Sequence, residues 1–177
     1  RLQVLGTHEL PVSFRPMRGA TPGSWGGVNY MWTSSGLLDH AVLEYGGAVN
    51  SMLYVGTDQL QILDSVFRYS ATGGISIEFG SPLISGTQFI SNTSPYGGGL
   101  YIDSSSPHVV HNIFAGNSAV SGYNNRGGGL FTYSGSPVIE GNLFTHNSAV
   151  QGGGIYNDMG SPIIQNNIFT GNLGAGG

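Results

Sequence analysis

Tyr101, Phe131 and Tyr156 each stand one residue past a Gly-Gly-Gly-apolar unit, and Asp103, Tyr133 and Asp158 stand two residues further on. In an extended strand successive side chains alternate between faces. If Leu100, Leu130 and Ile155 point into a core, those six residues point outward together. Tyr54 and Glu78 occupy matching places earlier in the chain, and Ser76 interrupts the aromatic series. An aromatic stripe beside an acidic stripe makes a carbohydrate platform. Ring faces stack on sugar C–H groups, and carboxylates accept hydrogen bonds from hydroxyls. The same pattern also suits aromatics that pair across strands to stabilise a sheet, or that meet another subunit.

Cleavage of a glycosidic bond needs two carboxylates about 5–9.5 Å apart, one of them held protonated. Asp103 and Asp158 are two repeats apart, which predicts roughly 9–10 Å from the spacing of stacked strands. Tyr133 falls between them, no histidine or Asp-Asp doublet adjoins them, and the regular repeats offer one basic residue, Arg126. The chain therefore reads as non-enzymatic, with no catalytic residue and no cofactor. His8, His40, His108, His111 and His146 are scattered, and His108 and His111 are expected on opposite faces of one strand, so no zinc set emerges. Asp39 and Asp64 follow leucine in successive repeats and read as a turn ladder that calcium could bridge.

What must position these side chains is a repeat. Gly97-Gly-Gly-Leu100 leads to Ser106-Pro107, Asn112-Ile-Phe114 and Asn117, and the same order recurs from Gly127 and from Gly152. Steps of 30 and then 25 residues place the extra five around Ser121–Asn125, which predicts a loop bulging from one turn of a stack. Three apolar columns extend the pattern toward the N-terminus. One reads Val28, Leu53, Ile75, Leu100, Leu130, Ile155; a second reads Ile62, Ile84, Val109, Ile139, Ile164; the third reads Leu43, Phe67, Phe89, Phe114, Phe144, Phe169. Three columns imply three strands per coil, each about 3–5 residues long and bounded by Gly, Ser, Asn, Asp and Pro. No helical spacing is sustained anywhere.

The expected fold is all-β: a right-handed parallel β-helix of about six coils of 22–30 residues. It forms one domain over 1–177, irregular over 1–72 and regular over 73–177. Phe67, Phe89, Phe114, Phe144 and Phe169 should form an internal aromatic ladder, each buried ring contributing about 1.5–3 kcal/mol. Asn92, Asn117, Asn147 and Asn172 should stack at a turn, their amides satisfying backbone groups.

Four copies of Phe-x-x-Asn, Phe89–Asn92, Phe114–Asn117, Phe144–Asn147 and Phe169–Asn172, alternate with Gly-Gly-apolar units. This pattern resembles the repeat of the polymorphic outer membrane proteins, autotransporter-type bacterial surface proteins. More broadly it is similar to the right-handed parallel β-helix, or pectate-lyase-like, superfamily. The resemblance covers about residues 73–177 and departs in having Gly-Gly-Gly where that repeat usually has Gly-Gly-Ala. It implies a secreted or cell-surface protein, bacterial or archaeal, often an adhesin. The polygalacturonase-like and pectate-lyase-like catalytic patterns are absent.

Composition narrows the partners. Glycine is 31 of 177 residues and charged residues are 8%, but apolar residues are 39% and fall in register, which argues against disorder. A net charge of −4, no lysine and no basic cluster exclude nucleic acid as a partner. There is no cysteine, so disulfides and thiolate metal sites are excluded, and no apolar run is long enough for a transmembrane segment. The chain begins at Arg1 in strand-like alternation and stops where the next Gly-Gly-Gly unit is due. That predicts a segment of a longer polypeptide, or a unit that self-associates through exposed β-edges at both ends. The expected function is a structural or adhesive β-helix assembling end to end into filaments, the alternative a module that binds or cleaves extracellular polysaccharide.

Overall fold

The computed structural model describes residues 1–120 and 124–175 and forms a parallel β-solenoid. The first sheet stacks Leu2–Leu5, Gly36–Asp39, Leu60–Leu63, Leu83–Ser85, His108–Val110, Val138–Glu140 and Ile163–Gln165 in chain order. The second stacks Val12–Phe14, Ala41–Glu44, Val66–Arg68, Gln88–Ile90, Ile113–Ala115, Leu143–Thr145 and Ile168–Thr170. The third stacks Val28–Met31, Leu53–Gly56, Ile75–Glu78, Leu100–Asp103, Leu130–Thr132 and Ile155–Asn157.

The three predicted columns are in register throughout these sheets. Their middle members, among them Leu53, Ile62, Ile84, Phe89, Leu100, Phe114 and Phe144, are fully buried. The phenylalanine rings pile face to face, with centroids 4.6 Å apart for Phe89–Phe114 and for Phe114–Phe144. That separation is close to the spacing of neighbouring strands, so like residues in register meet like.

The strand count differs from three per coil. The regular coils carry a fourth short strand, at Thr93–Ser94, Ser118–Ala119, Ser148–Gln151 and Leu173–Ala175, which stack as a sheet of their own. These strands are built largely of Ser, Thr and Ala and carry little apolar signal. Of the inserted stretch, residues 121–123 lie outside the described residues, while Asn124 is exposed and Asn125 buried.

The second sheet is framed by two corners of one design. Each corner sets one residue in the left-handed conformation: His40, Asp64, Gly86, His111, Gly141 and Asn166 on one side, Tyr45, Tyr69, Ser91, Gly116, His146 and Gly171 on the other. His111 thus lies past the strand of His108 rather than on its opposite face. The next residue is polar through most of the stack, and its side chain serves the coil before it. Asn92 N–H donates to Asn117 Oδ1 at 3.1 Å and Asn117 N–H to Asn147 Oδ1 at 2.9 Å. In return Asn117 Nδ2 donates to the Phe89 carbonyl at 2.9 Å.

A second ladder, not anticipated from the sequence, runs along the other corner. Thr87 N–H donates to Asn112 Oδ1, Asn112 N–H to Asn142 Oδ1 and Asn142 N–H to Asn167 Oδ1, each at 2.8 Å. Ser65 and Thr87 continue it with hydroxyls. Among the described residues, no buried side-chain nitrogen or oxygen lacks a hydrogen-bond partner.

Candidate functional site

The outward aromatic column is real: Tyr54, Ser76, Tyr101, Phe131 and Tyr156 are successive register partners on the third sheet. Glu78 and Asp103 pair in the acidic column beside it. Tyr133 and Asp158 follow just past the ends of their strands.

The rings, however, turn their faces to one another and not to solvent. Tyr101 and Phe131 stack at 5.6 Å and Phe131 and Tyr156 at 5.8 Å, both with 7° between the planes. Tyr96 closes over Phe131 at 5.4 Å, leaving it 3% exposed. Phe131 therefore has no open face for a sugar. In-register strands bring outward rings to stacking distance just as they do inward ones, so cross-strand pairing claims these faces first. Phe131→Ala should accordingly cost about 2–3 kcal/mol of stability, somewhat below a fully enclosed ring. Urea unfolding checks this; an unchanged midpoint would mean that the outer stack bears no load.

Beside the stack is a concavity of about 270 Å³ bounded by Tyr96, Tyr101, Asp103, Arg126, Tyr133 and Asp158. Arg126 is the one basic residue of the regular repeats. It bridges Tyr96 on one coil and Gln151 on the next. Its Nη1 meets Asp158 Oδ2 at 3.0 Å, its Nε donates to Gln151 Oε1 at 3.1 Å, and its Cζ lies 4.9 Å over the Tyr156 ring. The signal was there to be found: Tyr96, Arg126 and Gln151 each stand directly before a Gly-Gly-Gly unit. Pairing with Arg126 occupies Asp158, which separates its role from that of Asp103.

The phenols of the column lean on the carboxylates. Tyr54 OH donates to Glu78 Oε2 at 3.2 Å, and Tyr101 OH is 3.4 Å from Asp103 Oδ2. Burial, then the charges of Asp103 and Glu78, push Tyr101 up to about 12, and burial followed by Glu78 raises Tyr54. The unfolded chain ionises its tyrosines near 10. The native state resists, so the stability contributed by neutral Tyr101 is present below pH 10 and is lost as pH rises from about 10 to about 12. Tyr101→Phe should therefore flatten the fall in melting temperature across that alkaline window. An unchanged slope would show that Tyr101 ionises equally easily in both states.

A second concavity on the same sheet, of about 380 Å³, is bounded by Tyr54, Ser76, Glu78, Ser51, Thr72 and Pro95. Elsewhere, Asp39, His40 and Asp64 bring one ligand atom each within 4.8 Å of one another, with His40 Nδ1 2.7 Å from Asp39 Oδ1. The predicted turn ladder of Asp39 and Asp64 is off by one residue: Asp39 ends its strand opposite Leu63, and it is His40 that shares the corner position with Asp64.

The family model of the Chlamydia polymorphic membrane protein repeat matches residues 143–158, from Leu143-Phe144 through Asn147 and Gly152-Gly-Gly to Tyr156. Those residues span the inner phenylalanine column, the amide ladder and the outer aromatic column of one coil. No curated protein and no solved structure matches the chain.

Proposed function

We propose, from a β-solenoid whose coils carry a repeat of the polymorphic membrane protein kind, that this chain is a rigid, non-enzymatic structural or adhesive element of a bacterial cell surface. The observation that carries this reading is continuity. Two side-chain ladders and a core phenylalanine stack run through the regular coils in register, with their buried polar groups satisfied along the way. Each coil leans on its neighbours, which suits a shaft that holds its shape under load.

Labelling of intact source cells tests the location. An antibody against the exposed surface around Tyr133 and Met159 should bind unbroken cells and lose its signal after mild external proteolysis. Signal only after lysis would refute a surface role.

The reading extends to end-to-end assembly. The coil formed by 163–175 leaves Ile164 45% and Phe169 48% exposed, and these residues continue the columns that are buried elsewhere. A further coil in register, from the same polypeptide or from a second copy, would cover them and pair their strands. Sedimentation over a range of concentrations should show growing species, suppressed by Ile168→Glu. A monomer at every concentration would remove this part of the proposal.

A further inference from the structure

One corner of the second sheet gathers three metal-ligating side chains where the amide ladder stops. That ladder runs back from Asn167 through Asn142, Asn112 and Thr87 to Ser65, whose hydroxyl accepts from the Ala41 N–H. Ala41 carries no polar side chain to continue it. At this point of the stack Asp39, His40 and Asp64 bring one ligand atom each within 4.8 Å of one another. Asp39 and His40 belong to one coil and Asp64 to the next, because Asp39 pairs with Leu63.

We propose that these three side chains bind a divalent transition-metal ion of the zinc type, which clips the two coils together. The donor set is the first argument. Calcium and magnesium take oxygen ligands. One imidazole nitrogen with two carboxylate oxygens is a mixed set suited to zinc and its neighbours. Among the described residues, no other three His, Asp or Glu side chains converge in this way.

Reach is the second argument. With bonds of about 2.0–2.1 Å, a tetrahedral ion holds its ligand atoms about 3.3 Å apart. His40 Nδ1 and Asp39 Oδ1, 2.7 Å apart, need only part slightly. The exposed Asp64 need only swing inward by about 1.5 Å at most, which rotation about its side-chain bonds supplies.

Openness is the third. The corner positions on either side belong to Gly6 and Gly86, which place no side chain over the three donors. A Cβ at Gly86 would overlap Asp64 Oδ1. Water can therefore complete the shell. Among the described residues, no arginine pairs with either carboxylate, so their charge is available to a cation. The clip is independent of the surface reading: a surface shaft stands with or without it.

Calorimetric titration of the whole chain with zinc chloride, in buffer free of chelators, tests the proposal. Wild type should take up one ion per chain at micromolar zinc, and calcium in excess should not displace it. His40→Asn removes the imidazole and keeps a residue type that tolerates left-handed backbone. It should weaken binding at least about tenfold. Asp64→Asn should give the same loss and carries the test if His40→Asn does not fold. His8→Gln, at the exposed His8–Glu9 pair, should bind as wild type does. Zinc should also raise the melting temperature of wild type and not that of Asp64→Asn. The proposal is overturned if wild type takes up no zinc, if Asp64→Asn binds as tightly as wild type, if His8→Gln abolishes binding, or if calcium displaces zinc at equal concentration.

Discussion

Asn117→Leu should destabilise the protein by about 1–3 kcal/mol, although leucine is similar in size and more apolar. The side chain of Asn117 is fully buried and works in both directions along the stack. Its Oδ1 accepts from the N–H and the Nδ2 of Asn92, at 3.1 Å each, while its Nδ2 donates to the Phe89 carbonyl and to Asn147 Oδ1. Leucine would orphan the Asn92 N–H, whereas the Phe89 carbonyl, inside the paired strands, loses only its second donor. The others keep a partner: Asn92 Nδ2 still reaches the Phe67 carbonyl, and Asn147 Oδ1 still takes the N–H of residue 117. At about 1–3 kcal/mol, the cost of the orphaned N–H outweighs what the added apolar surface returns. Denaturant unfolding gives the magnitude, and amide exchange gives the mechanism. The Asn92 N–H should lose protection beyond the global change, and a stability loss under about 1 kcal/mol would refute the ladder's role.

Phe114→Ala should cost about 3–5 kcal/mol. The ring is fully buried and stacked on both faces at 4.6 Å, against Phe89 and Phe144. The cost should fall toward the upper part of that range because the cavity has little means of closing. Strand pairing holds the layers above and below at a fixed separation, and the amide ladders flanking the ring at Asn112 and Asn117 hold the corners. Phe114→Leu, which refills part of the space, should recover much of the loss. A loss of less than about 1 kcal/mol for Phe114→Ala would mean that the coils can settle onto one another, contrary to the register seen here.

The inner columns were legible because burial, strand spacing and residue identity point the same way. A phenylalanine at Phe67, Phe89, Phe114, Phe144 and Phe169 can repeat every 22–30 residues only if each sits over the last. The Asn117 ladder was legible for the same reason. Its twin along Asn112 was disguised because Ser65 and Thr87 fill the role of asparagine with a different side chain. The fourth sheet was hidden because backbone pairing of Ser118 and Ala119 leaves no hydrophobic alternation.

At the candidate site, the alternation rule told which side chains leave the core but not where their faces turn. Phe131 points outward and is nonetheless buried, because Tyr96, Tyr101 and Tyr156 surround it. Arg126 was missed for a related reason. Its backbone belongs to the corner before Gly127, and the length and ring-stacking reach of its side chain carry it onto the neighbouring face.

The amide ladders have a consequence for how such a chain can change over generations. Each asparagine takes from the coil after it what it gives to the coil before it, so one coil presents the same terms to either neighbour. A duplication or deletion of one whole repeat therefore creates a junction chemically identical to those already present, and needs no compensating change. Length becomes a property that heredity can adjust in whole steps without inventing a new core.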